Sequence, residues 1–329
     1  MVDRYTAAII QYARINPEDI PDVNKRKDEN LKKILGTFES LETWDEISPV
    51  RLVVFPENIL RHEFNDRDPT VTQGEKVESA VNIPGPETDE LAEKAEKYKT
   101  YISGSIHEKD PEYPGYFFNT AFIMNPLGKI ILKYRKMNPW IPLELSTSPH
   151  DLLDDYKDPM FPVVETELGN LACYVCYDQF FPEVARQLVF NGAEVLIKPT
   201  IYPPYPQHLM FEPYDWFTLV NRMRSIENIV YGLNANGGKY GNSMIVDYLG
   251  RTIARAARGR QMTIGATVDI DELREYRKKT RLHNMLQQLR TECYTYLNNK
   301  NWPSNKPLLR IKDYDEWASL SRGSKVEEK

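Results

Sequence analysis

The run Leu171-Ala172-Cys173-Tyr174-Val175-Cys176-Tyr177-Asp178 is apolar and rich in β-formers, and Phe181-Pro182-Glu183 follows it closely. A short apolar run bounded in this way predicts a strand buried on both faces. Pro182 stands where a helix begins, because the first turn has no use for the N–H that proline lacks. Val184, Leu188 and Val189 then fall at helical spacing. A strand that passes at once into a helix is the unit of layered α/β folds, so this stretch decides the fold class.

The same rhythm continues on both sides. Thr6 to Gln11 and Val50 to Phe55 are near-continuous apolar runs, read as strands, and the spacing of Leu31, Ile34, Leu35, Phe38 and Leu41 predicts a helix that starts at about Asp22. A second helix is expected after Pro84-Gly85-Pro86, where Glu87 and Asp89 load the first turn with the carboxylates that the helix dipole favours. Phe117 to Met124 and Lys129 to Tyr134 flank Asn125-Pro126-Leu127-Gly128, which predicts a hairpin. Gly241 to Asp247 and Thr252 to Ala256 flank Tyr248-Leu249-Gly250 in the same manner, so the two halves of the chain echo one another in layout. Leu273 to Leu289 reads as a charged helix and Ser319 to Lys329 as a solvated tail.

Composition removes several classes of function. A chain of 329 residues, 41% hydrophobic, can bury a sizeable core. Its 42 Lys and Arg against 48 Asp and Glu give a formal charge of −6, and the basic residues form no stripe, so nucleic acid is not expected as a partner. No apolar run approaches the roughly 20 residues that a membrane span needs. Met1-Val2-Asp3-Arg4-Tyr5 lacks the profile of a signal peptide, and the cytoplasm is the expected compartment. Three cysteines make no disulfide framework, and reduced thiols are expected.

A reactive side chain is useful at the end of a buried strand, where the scaffold is rigid and substrate can still reach it. Cys176 stands there, close to a helix start whose backbone amides favour a thiolate and a developing oxyanion. A cysteine in an apolar strand is more commonly a small core residue, and Cys173-Tyr174-Val175-Cys176 also has the C-x-x-C spacing of redox and metal sites. Strand geometry opposes the second reading, because residues three apart point to opposite faces. Cys173 is then core, and Cys293 has no feature that favours activity. None of the histidines, His62, His107, His150, His208 and His283, has the setting of a general base for a thiol, and each is read as structural. Two acids and a lysine at strand ends are better candidates: Glu57 after Leu52-Val53-Val54-Phe55-Pro56, Lys136 after the Ile130 to Tyr134 run, and Glu144 after Asn138-Pro139-Trp140-Ile141-Pro142-Leu143.

Together these blocks resemble the nitrilase superfamily of carbon–nitrogen hydrolases. Phe55-Pro56-Glu57, Lys133-Tyr134-Arg135-Lys136, and Gly169-Asn170-Leu171 leading to Cys176-Tyr177-Asp178 with Phe181-Pro182-Glu183 are similar to its three sequence blocks, in order. Arg224-Ser225-Ile226-Glu227-Asn228 and Gly241-Asn242-Ser243-Met244-Ile245-Val246 extend the resemblance over nearly the whole chain. It implies a four-layer αββα sandwich and a catalytic set of Glu57, Lys136 and Cys176. In that set the carboxylate moves the proton, while the Lys136 ammonium and the Tyr177 N–H hold the oxyanion.

Pro139-Trp140-x-Pro142-x-Glu144 is similar to the aliphatic amidase and formamidase branch, and Cys176-Tyr177-Asp178 favours an amide over a nitrile. The expectation is hydrolysis of a primary amide to an acid and ammonia through a thioester, with no cofactor and no metal. An N-carbamoyl hydrolase, a nitrilase or an acyltransferase using the same acyl-enzyme are the alternatives. Leu145-Ser146-Thr147-Ser148-Pro149-His150 departs from the amidase pattern, and Ile201-Tyr202-Pro203-Pro204-Tyr205-Pro206 is an aromatic, proline-rich loop; Tyr177, Tyr202 and Trp140 are the expected substrate-binding residues. Residues 1–272 are read as the hydrolase domain and 273–329 as a C-terminal helical extension. The resemblance implies homo-oligomers, dimers or higher, joined in part by that extension.

Overall fold

The computed structural model describes residues 4–15, 19–42, 49–60, 73–140, 144, 146–152, 155–202, 216–237 and 240–294. His62 and His208, Pro142 and Leu145 of the two loops singled out above, the run 203–206 and the tail from Ser319 lie outside them.

The first half of the chain runs β1 (Arg4–Gln11), α1 (Val23–Thr37), β2 (Val50–Val54), α2 (Gln73–Ser79), α3 (Pro86–Tyr98), β3 (Tyr101–Glu108), β4 (Phe118–Met124) and β5 (Ile130–Arg135). The second runs β6 (Val163–Thr166), β7 (Gly169–Cys173), α4 (Pro182–Phe190), β8 (Val195–Thr200), α5 (Trp216–Asn228), β9 (Tyr231–Asn236), β10 (Met244–Val246), β11 (Thr252–Arg255) and β12 (Met262–Asp269), followed by α6 (Ile270–Lys279) and α7 (Met285–Gln288). Two six-stranded sheets result, in the orders β12-β1-β2-β3-β4-β5 and β11-β10-β9-β8-β7-β6. In each, three parallel strands stand between one antiparallel edge strand and an antiparallel hairpin. The echo between the halves is therefore an echo of topology.

Alternation along the strands builds the layers. Ala8, Ile10, Val53, Phe55, Ile102 and Phe122 face outward and cluster with Leu31 and Ile34 of α1 and Leu91 and Ala95 of α3. Their strand neighbours Ala7, Ile9, Leu52, Val54, Ala121 and Ile123 cluster instead with Leu171, Cys173, Ile197 and Leu233 of the second sheet. Period-two side-chain direction splits each strand between two cores, which gives helix, sheet, sheet and helix in layers. Ile34 and Leu91 are fully buried, each worth about 1.5–3 kcal/mol of removed apolar surface.

The two hairpin turns share one design. Asn125 Oδ1 accepts from the N–H of Leu127 and Lys129, with Gly128 at φ 69°. Asp247 Oδ1 accepts from the N–H of Leu249 and Arg251, with Gly250 at φ 75°. An acceptor side chain at the first position and a glycine three residues on fix both turns, since an L side chain rarely adopts that φ.

Two expectations are corrected. The strand predicted across Leu171 to Asp178 ends at Cys173, and Cys176–Phe180 is a 3₁₀ turn. The apolar run continues because the turn is buried, which periodicity cannot separate from a buried strand. The charged helix predicted over Leu273 to Leu289 begins at Ile270, capped by Asp269, and breaks after Lys279. Thr280 is extended, which ends α6, and Asn284 satisfies the ends on both sides: its amide donates to the carbonyls of Arg277 and Thr280 while its oxygen caps α7 at Gln287. Among the described residues no helix is long and apolar enough to cross a membrane.

Candidate active site

Strand ends from both sheets meet at one place. Beyond β2 the chain still pairs with β3 through the Phe55 N–H on the Ser103 carbonyl at 2.7 Å, and then Pro56 delivers Glu57, fully buried. Asn58 follows at φ 49°, which turns the chain away from the sheet. The Glu57 N–H reaches the Thr200 carbonyl at the end of β8, at 3.4 Å, so this bond crosses from one sheet to the other. Lys136 follows β5, and its N–H on the Asn119 carbonyl at 2.9 Å extends the β4–β5 ladder by one residue. Carboxyl ends of strands are where open α/β sheets present their ligand sites.

The side chains form one hydrogen-bonded cluster. Lys136 Nζ donates to Glu57 Oε1 at 2.9 Å and to Glu144 Oε2 at 2.5 Å. Asn119 Nδ2 donates to the same Glu57 oxygen, Oε1, at 2.8 Å and to the other Glu144 oxygen, Oε1, at 2.9 Å. Glu144 is completed by Ser146 Oγ at 2.9 Å and by the Trp140 N–H at 3.0 Å, while Glu57 Oε2 accepts from the Ile201 N–H at 2.8 Å. Burial works against the Lys136 ammonium, but Glu144 and then Glu57 overcome it and hold its pKa well above the ordinary lysine value. For Glu144, burial favours the acid, and the Lys136 charge with its hydrogen bond outweighs that and lowers its pKa. Two carboxylates thus share one buried cation.

Cys176 is placed by an elbow. Its φ of 45° lies in the left-handed region that non-glycine residues rarely enter. Asp178 holds that conformation: it accepts from the Val175 N–H at 3.1 Å, from Tyr134 Oη at 2.8 Å and from both the N–H and the amide of Asn138, at 2.8 and 2.9 Å. Burial pushes its carboxyl up to about 6 against the Lys136 charge and these donors. Backbone strain kept by surrounding contacts is a recurrent property of reactive positions. Cys176 Sγ lies 3.6 Å from the Ile201 carbonyl, the same residue whose N–H holds Glu57, so Ile201 brackets the thiol and the carboxylate. Tyr177 N–H belongs to the first turn of the 3₁₀ segment, where donors have no intrahelical acceptor.

The three aromatic candidates are brought into one chain of rings. Trp140 lies 6.2 Å from Tyr177, Tyr177 lies 5.5 Å from Phe180, and Phe180 lies 6.1 Å from Tyr202, measured between ring centroids. Tyr202 stacks on Phe217 at 5.8 Å, and its N–H is held by Asn236 Oδ1 at 2.7 Å.

The remaining candidates stand apart. Cys173 faces Ser103 at 3.7 Å inside the core between the sheets, and burial pushes its thiol up to about 12. Cys293 is exposed. His107 is buried with Nε2 3.2 Å from the Asn58 amide, its ring against Phe117. His150 lies in a 3₁₀ turn and His283 between α6 and α7. Sequence reasoning missed Asn119, Ser146 and Ile201. Asn119 was signalled as a polar residue within Phe117-Phe118-Asn119-Thr120-Ala121-Phe122. Ile201 acts through its backbone, which no side-chain pattern reports.

Comparison with known proteins gives the family and the fold. The family described as carbon-nitrogen hydrolase matches residues 6–278. Formamidases of Bacillus cereus and Bacillus anthracis are 30% identical over 275 residues, covering 81% of this chain and 74% of theirs. Among solved structures, Saccharomyces cerevisiae Nit3, a member of branch 10 of the nitrilase superfamily, is 24% identical with a TM-score of 0.67, over 86% of this chain and 96% of its own. A carbon-nitrogen hydrolase from Helicobacter pylori is 20% identical with a TM-score of 0.73, over 90% and 99%. A mutant amidase from Nesterenkonia sp., with the acetamide moiety of fluoroacetamide added covalently at its active-site cysteine, is 17% identical with a TM-score of 0.65, over 91% and 96%.

Proposed function

This chain belongs to the carbon–nitrogen hydrolase family of the nitrilase superfamily, in its amidase and formamidase branch, and we propose that it hydrolyses a small linear primary amide to carboxylic acid and ammonia through a thioester on Cys176. The observation that carries this reading is the bracket made by Ile201, whose carbonyl faces the thiol while its N–H holds Glu57, itself bonded to Lys136.

Glu57 takes the thiol proton on a carboxylate oxygen as Sγ attacks the amide carbon. The carbon–sulfur bond forms, and the carbonyl π pair moves onto oxygen. Two of the three Lys136 N–H groups are used by Glu57 and Glu144, which leaves the third for that oxyanion, together with the Tyr177 N–H. Loss of one such donor costs on the order of a hundredfold to a thousandfold in rate. Collapse breaks the carbon–nitrogen bond, and the nitrogen leaves as ammonia with the proton that Glu57 carried. Water then attacks the thioester; Glu57 accepts its proton and returns it to the departing thiolate. Glu144 keeps Lys136 in position through its short bond and orients Trp140 through that residue's N–H.

The acetamide adduct of the Nesterenkonia amidase supports the cysteine as the attacking atom, and the formamidase relatives support a short acyl group. The test is ammonia release from formamide, short aliphatic amides, aromatic amides, N-carbamoyl compounds and nitriles. Release from the short amides that vanishes in Cys176→Ala is expected. Release that persists in that variant refutes the nucleophile.

A further inference from the structure

Strand β8 reads Val195-Leu196-Ile197-Lys198-Pro199-Thr200, and its one charged side chain is fully buried. Lys198 Nζ donates to Gln179 Oε1 and, at 2.5 Å, to Asn221 Oδ1, and it lies 4.4 Å from the centroid of the Phe217 ring. Gln179 belongs to the elbow three residues after Cys176, Asn221 belongs to α5, and Lys198 itself stands two and three residues before Thr200 and Ile201. One side chain therefore ties together the three elements that hold the thiol and the bracketing carbonyl. Arg224 of α5 adds a second tie, from Nε to the Gln179 carbonyl at 3.0 Å.

Among the described residues no carboxylate forms an ion pair with Lys198. A buried ammonium without a counter-charge is costly, and a methionine or leucine would fill the same space without that cost. The amide nitrogens of Gln179 and Asn221 are buried without acceptors and offer no compensation. Burial pushes the ammonium down to about 7, and of the charges that face it Cys176 supports it first, Arg224 opposes it and Glu57 supports it more weakly. Support between two charges is mutual, so a charged Lys198 favours the thiolate as much as the thiolate favours it.

We propose that Lys198 is a positioning residue of the active site, a buried cation whose counter-charge is the Cys176 thiolate and whose hydrogen bonds hold the elbow to β8 and α5. This rests on Cys176 as the nucleophile. The experiment measures the rate of iodoacetamide alkylation between pH 5 and 9, read at the Cys176 peptide by mass, with amide turnover alongside, for the full-length protein and its Lys198→Met and Lys198→Arg variants.

Removing the charge raises the pH at which Cys176 ionises by about one unit, which makes alkylation about tenfold slower at pH 5 to 6, where Lys198 is charged, and by less at pH 7 and above. kcat falls with it, and KM changes little. In the wild type, Lys198 loses its proton as pH rises through about 7 and the thiolate then loses its support. Its alkylation curve therefore inflects near neutrality, and the curve of Lys198→Arg does not, because a guanidinium stays charged.

A folded Lys198→Met protein with the wild-type alkylation curve overturns the proposal, as does a variant that loses only thermal stability. If Lys198→Met does not fold, identical curves for wild type and Lys198→Arg overturn it, and so does a wild-type curve with a single step and no inflection. Amide turnover that survives Cys176→Ala overturns the nucleophile instead; turnover that needs Cys176 but ignores Lys198 overturns only this proposal.

Discussion

Asn119→Leu is the most direct test of the carboxylate pair. Leucine keeps the branched shape and removes an amide that donates at 2.8 Å to Glu57 and at 2.9 Å to Glu144, both buried. A hydrogen bond to a charged group contributes about 1.5–3 kcal/mol, so both carboxylates ionised without this donor would cost about 3–6 kcal/mol. Proton uptake offers an escape from that cost. Donors to the charged form lower a carboxyl pKa, and Asn119 is one of the groups, after Lys136 and Trp140, that lower that of Glu144. Its removal therefore moves the Glu144 value upward, toward its ordinary range. Asn119 Oδ1 also accepts from Ser105 Oγ at 3.0 Å, and that hydroxyl accepts the Asn58 N–H at 2.8 Å, so the loop behind Glu57 loosens as well.

The expected result is a kcat/KM for ammonia release reduced about a hundredfold at pH 6, with the acid limb of the pH profile moved upward and part of the activity recovered by pH 8 to 9. The assay follows ammonia release across that range, with urea unfolding to verify that the variant is folded. An acid limb in its wild-type place, with kcat/KM within a factor of about three, would show that the shared amide does not orient the base.

Cys173→Ala is expected to lower unfolding free energy by about 1–2 kcal/mol in urea titrations and to leave turnover unchanged, because that thiol is core; lost turnover would refute the separation of the two cysteines. Gly250→Ala places a Cβ 2.2 Å from Ile226 Cγ1 at φ 75°, and a loss of about 2–4 kcal/mol is expected from strain and overpacking together; a change below half a kcal/mol would contradict the close approach of α5 to the turn. Glu144 has a folded pKa below its ordinary value of 4.5, so its contribution to stability is present above about pH 4.5 and is lost as pH falls through the folded value. Glu144→Gln should flatten the fall of the urea midpoint below pH 4.5, and an unchanged slope would remove Glu144 from that linkage. Tyr202→Ala should alter the order of preference among short amides while the protein stays folded, and unchanged selectivity would exclude Tyr202 from the pocket wall.

The sequence by itself determined what depends on near neighbours. Apolar runs gave the strands, Asp22 and Pro86 marked helix starts, and turn chemistry at Asn125 and Gly250 gave the hairpins, because each is fixed within a few residues. The blocks around Glu57, Lys136 and Cys176 were weak signals one by one and became legible through their order and their resemblance to a known family, and the strand expected to reach Cys176 ends at Cys173. Tertiary structure alone decided that β12, from near the end of the described chain, pairs with β1 at its start, since strand pairing costs no local signal. It alone decided that Asn119 is shared by two acids 62 and 25 positions away, and that the backbone of Ile201 faces thiol on one side and carboxylate on the other. Backbone donors and acceptors are the same at every residue, so their partners are set by how the two sheets pack and not by which amino acid carries them.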